Sequence, residues 1–91
     1  NFVYANEADL LNVALFGITA KEWRDNNLDK NGNIRDYSTI EQLVVLSNLA
    51  SINALLIRQG LPQRERLIQL NKVAITQMKS LLESNIIKTL K

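Results

Sequence analysis

The sequence predicts a small all-α domain in which two short N-terminal helices pack on a long antiparallel helical hairpin. Three observations predict it. Capping-box spacings recur at Asn6 with Asp9, Thr19 with Glu22 and Ser38 with Glu41. The stretch from Ser38 to Gln59 carries Ile40, Leu43, Val45, Leu46, Leu49, Ile52, Leu56 and Ile57 over roughly two-thirds of a helical circumference, where a surface helix would confine them to one stripe. No strand alternation, internal repeat or low-complexity segment competes with this pattern.

The chain has 91 residues, one domain's worth, and it opens on Asn1 rather than Met, which is expected of a piece cut from something longer. Residues 1–5 (NFVYA) read as an apolar arm. A first helix is expected over about 7–16, ending at Gly17, the residue best able to take the left-handed conformation that stops a helix. A second, over about 20–26, carries Trp23 inward and ends in Asn26 and Asn27. From there to Tyr37 the chain is rich in Asn, Asp and Gly and reads as a loop.

The central helix is expected over about 39–59, started by the Ser38 capping box and stopped by Gly60. Its apolar spread requires cover on several sides. Pro62 suits the first turn of a last helix over about 62–84, and the connection is short enough to force an antiparallel hairpin. That last helix shows one apolar stripe at Leu67, Leu70, Ala74 and Leu81 and a second beside it at Ile68, Ile75, Met78, Leu82 and Ile86. Two adjacent stripes can meet both the central helix and something else.

Composition excludes several chemistries. With neither cysteine nor histidine, the chain has no disulfide, no thiolate or imidazole metal ligand, and no triad built on either residue. The absence of cysteine suits a reducing bacterial cytoplasm, the location expected here. The central apolar run is broken by Ser47, Asn48, Ser51 and Asn53, so a membrane span is not expected. The net charge of +2 is too small to imply nucleic acid by itself, although residues 1–37 are net acidic and the remainder net basic. Carboxylates occur without a nucleophile or base beside them, and no catalytic residue, cofactor, metal site or small-molecule substrate is expected.

Four constellations bear on function. The corner over residues 10–26 has the outline of a helix-turn-helix, with Lys21, Glu22, Arg24 and Asp25 as the reading residues; two acids among four repel phosphates, and a plain corner anchored by Trp23 is the competing reading. The loop Asn27, Asp29, Asn31, Gly32, Asn33, Ile34 opens with the rhythm of a calcium loop, but Arg35 and Ser38 stand where ligands are needed, which favours an ordinary turn. Arg58, Arg64 and Arg66, with Lys72 beyond, cluster at the hairpin tip, where arginines in a first helical turn oppose its dipole. Their compensation is either the acidic loop, through Asp25, Asp29 or Asp36, or phosphate or an acidic partner. Finally, Asn53 and Asn71 interrupt apolar faces as either a buried pair or an exposed edge, and Met78, Leu82, Ile86, Ile87 and Leu90 offer an apolar surface for a homo-oligomer.

Longer words add a resemblance. A-N-E-A-D-L-L-N-V-A-L-F-G from Ala5, T-A-K-E-W-R from Thr19, G-N-I-R-D-Y from Gly32, E-Q-L-V-V-L-S-N-L from Glu41, G-L-P-Q from Gly60 and E-R-L-I-Q-L-N from Glu65 resemble the C-terminal region of KilA-N domain proteins from Bacteroides-type gut bacteria and their mobile elements. The likeness runs from Tyr4 to about Leu82. It implies a helical companion to a DNA-binding module that lies upstream in that family and is absent from these residues, so it carries no DNA-contacting residue onto this chain. The implied function is a non-catalytic interaction or oligomerisation domain in a phage-related or regulatory protein. The alternative is direct nucleic-acid binding through the basic tip or the 10–26 corner.

Overall fold

The computed structural model describes the backbone of residues 6–90 and side chains through Ser84. The described chain is all-helical, with four α-helices and no strand: α1 Glu7–Phe16, α2 Ala20–Asn26, α3 Ile40–Arg58 and α4 Gln63–Leu90, plus a 3-10 turn at Ile34–Tyr37. The arm at 1–5 lies outside the described residues.

Each start has a visible cause. The Asn6 side chain accepts from the Asp9 N–H at 2.8 Å, but Asp9 returns no bond, so α1 has half a capping box. Thr19 and Glu22 complete theirs at 3.1 and 3.0 Å. For α3 the cap falls one residue later than the Ser38 spacing implies. Thr39 accepts from the Gln42 N–H while Gln42 reaches back to the Thr39 N–H, and Ser38 instead donates its hydroxyl to the Ile34 carbonyl. That bond closes the 3-10 turn, which the Asn-rich composition had disguised as loop. Asn33 caps the turn through Arg35 N–H, and Asp36 answers to Asn33 N–H.

α3 ends in a Schellman motif. The Gly60 N–H donates to the Ile57 carbonyl and the Leu61 N–H to the Leu56 carbonyl, with Gly60 at φ 78°. Leu61 and Leu56 both join the core, so the apolar contact that accompanies this motif is present. Pro62 lies just outside α4 and supplies the carbonyl for the Arg66 N–H. α4 continues past the expected limit near 84 to Leu90.

The core sits among α1, α3 and α4: Leu10, Leu11 and Ala14 meet Val45, Leu46, Leu49 and Leu56, and both meet Leu70 and Ala74. α1 packs against both long helices, whereas α2 packs chiefly on the 3-10 turn. The expectation that α3 is covered on several sides is corrected here. Its buried residues, Val45, Leu46, Leu49, Asn53 and Leu56, occupy one side, while Ile40, Leu43 and Ile57 are exposed. Among the described residues α3 packs chiefly on α1 and α4, and two cylinders cannot enclose a third.

Candidate interaction surfaces

The most tightly built polar feature joins the three core helices. Arg66 on α4 is 8% exposed and Asn53 on α3 is 3% exposed. Arg66 Nη1 donates to Glu7 Oε1 at 2.6 Å and to Asn53 Oδ1 at 2.9 Å, its Nε donates to the Leu61 carbonyl at 3.0 Å, and Asn53 Nδ2 donates to Glu7 Oε1 at 2.8 Å. Arg66 and Asn53 hold the Glu7 carboxyl below its ordinary value, against the opposing pull of partial burial. Glu7 thus supplies the compensation that a first-turn arginine needs.

This corrects two expectations. The Arg66 guanidinium is enclosed and engaged within the chain rather than exposed at the tip, and its acid is Glu7 rather than Asp25, Asp29 or Asp36. Asn53 and Asn71 do not pair with each other, since the Asn71 amide donates to the Ala14 carbonyl at 2.9 Å. Arg58, Arg64 and Lys72 remain exposed, so the structure leaves the tip with fewer free cations than its sequence offers. Sequence held one unused signal for Arg66: it precedes Leu70 and Ala74 at intervals of four, which puts it on their inward face.

Three of the four reading residues of the 10–26 corner make local contacts, and Arg24 is exposed. Lys21 pairs with Asp25 at 2.9 Å and Glu22 is held by its capping box. Trp23 does not reach the central core. It lies half-buried with its ring centroid 5.3 Å from that of Tyr37, and the Lys30 ammonium sits 5.2 Å from the Tyr37 ring centroid. The calcium-like loop is similarly occupied: the Asn27 amide donates to the Trp23 carbonyl, Asn33 caps the 3-10 turn, and the Asn31 carbonyl accepts from the Tyr37 hydroxyl.

Between this corner and the core lies a shallow cleft of about 250 Å³ lined by Phe16, Ile18, Trp23, Ile34, Tyr37, Ser38 and Gln42. Its one hydroxyl besides that of Tyr37 is bonded to Ile34, and Gln42 is bonded to Thr39.

Two outward faces are apolar. On α4, Ile68, Ile75 and Leu82 follow one another at seven-residue intervals and are 50%, 61% and 50% exposed. Met78, expected beside them, instead packs against the core. Ile86, Ile87 and Leu90 continue the helix, but their side chains lie outside the described residues. On α3 the exposed face includes Ile40, Leu43, Val44 and Leu55.

By length and composition α3 could also cross a bilayer, with 19 residues and a mean hydropathy of 1.6. The polar interruptions noted in the sequence therefore do not shorten it below a spanning length. They do tie it to its neighbours: Asn53 carries the Arg66–Glu7 pair and the Asn48 amide donates to Gln77 at 3.0 Å. A spanning α3 would have to take those groups into hydrocarbon or abandon them.

Together, fold and surfaces define a small all-α unit with a closed polar cluster and open apolar faces. No protein-family model, no curated protein and no solved structure matches the chain.

Proposed function

We propose that this chain is a non-catalytic helical interaction module that offers the outer side of α4 to another protein segment. In this reading α3 and α4 form an antiparallel hairpin with the shorter elements packed on it. The companion is a KilA-N DNA-binding module in a phage-related or regulatory bacterial protein, a context that rests on the sequence words alone. The observation that carries the reading is the exposed line Ile68, Ile75, Leu82. Apolar side chains at that spacing fit a second helix or a groove, and Arg64, Lys72 and Lys79 along the same helix favour an acidic rim on the partner.

The test begins with the reading frame upstream of Asn1. If it encodes a DNA-binding module, that module is produced separately and titrated with this chain by calorimetry. Binding is expected, with a loss of at least about tenfold on Ile75→Glu, as for removal of a central interface contact. An upstream frame without such a module removes the context, and binding indifferent to Ile75→Glu removes the face.

A further inference from the structure

We infer that the outer side of α3 is the seam of a two-fold dimer, in which α3 of one copy lies antiparallel on α3 of the second. This goes beyond the proposed function, which concerns a different helix and a different partner. Although α3 is rich in apolar residues, only 28% of its most hydropathic window is buried within one copy. The surplus is ordered. On the side away from Leu49, a ridge runs through Ile40, Val44, Ser47, Ser51, Leu55 and Arg58, with Ile40 76% and Leu55 54% exposed. Intervals of three and four residues keep that ridge on one side of the helix.

The ridge is nearly its own mirror about the helix midpoint. Val44 and Leu55 lie equally far from a point between Leu49 and Ala50, as do Glu41 and Arg58, while Ser47 and Ser51 lie equally far from Leu49, the middle residue of α3. A two-fold interface requires that if one residue meets a second, the second meets the first. Antiparallel α3 helices satisfy this by seating Val44 of each copy against Leu55 of the other, while the small exposed side chains of Ser47 and Ser51 let the backbones approach at the centre.

Charge selects the same direction. Glu41 lies in the first turn of α3 and Arg58 in the last. Antiparallel packing places the two Arg58 side chains at opposite ends of the seam, whereas parallel packing stacks Arg58 on Arg58. The helix dipoles also oppose only in the antiparallel arrangement.

The size of the face sets the strength. A 19-residue helix is about 28 Å long, and a strip of that length about 10 Å wide covers about 280 Å² on each copy, about 560 Å² for the pair, below the range of a stable interface. The dimer is therefore weak and forms only at high chain concentration.

Sedimentation of the full chain over a concentration series tests this, together with cysteine cross-linking that the cysteine-free sequence makes clean. Dimerisation is expected, with Leu55→Glu shifting the chain to monomer at an unchanged melting temperature and Ile75→Glu leaving the dimer intact. Mixing a Ser47→Cys chain with a Ser51→Cys chain is expected to give the mixed disulfide faster than either self-disulfide, since antiparallel register brings those positions together. A chain monomeric at millimolar concentration, a dimer that survives Leu55→Glu, or preferred self-disulfides would each overturn the inference. Dissociation by Ile75→Glu alone would move self-association to α4, overturning this inference while leaving the α4 face standing.

Discussion

The two sides of α3 carry much the same residue types to opposite ends. Val45, Leu49 and Leu56 are buried against α1 and α4, while Val44 and Leu55, their immediate chain neighbours, face outward. α4 repeats the division, with Leu70 and Ala74 inside and Ile68 and Ile75 outside. Apolarity alone therefore does not tell fold from function in this chain. What separates the sides is closure: the inner side ends in a polar cluster whose groups satisfy one another across three helices, and the outer sides have no such lock.

The sharpest way to break the inner side is Leu49→Ala, which removes a fully buried side chain at the centre of the core. A loss of about 2 to 5 kcal/mol is expected, read by urea denaturation, enough to unfold a marginal domain of this size. Next comes the cluster. Arg66→Met should cost about 1 to 2 kcal/mol, because the buried Asn53 loses a charged partner while the half-exposed Glu7 returns to water. Its acid side has a pH signature. The Glu7 carboxyl is held below its ordinary value by Arg66 first and Asn53 second, so its stabilising contribution is complete above the unfolded value of about 4.3 and is lost as pH falls through the lower folded value. Glu7→Gln should therefore flatten the fall of melting temperature below about pH 4.3 relative to wild type. A parallel fall in both proteins would mean that Glu7 is not held this way.

A smaller effect is expected at the corner, where the hydrogen bonds are local. Asn33→Ala removes the cap of the 3-10 turn and should cost about 1 kcal/mol. Chemical denaturation of this variant measures how far the turn and α2 depend on that cap.

The same contrast between local and distant bonds explains what could be read from sequence. Helix starts at Glu7 and Ala20, and the stop at Gly60, follow from bonds between residues three to five apart, so spacing reveals them. The Ser38 cap misled by one residue because Ser38 and Thr39 both have hydroxyls, and only Gln42 decides between them. Glu7 lies 59 residues from Arg66, and no spacing rule connects them. The candidate surfaces were legible in part: the line of Ile68, Ile75 and Leu82 stands in the sequence, but that Met78 leaves it for the core depends on where α1 lies. The wide apolar spread of α3 implies cover on several sides, but a pattern on one helix does not say how many neighbours the chain itself provides.

The central claim is that the inner sides hold the fold while the outer sides await a partner. The combined variant Ile68→Glu, Ile75→Glu and Leu82→Glu tests it most directly, by thermal unfolding of the isolated chain at low micromolar concentration. The account predicts a melting temperature close to wild type, since outward substitutions are each worth about 0.5 kcal/mol or less and glutamate favours helix over isoleucine. A drop comparable to that of Leu49→Ala would contradict it, placing the outer line of α4 within the fold.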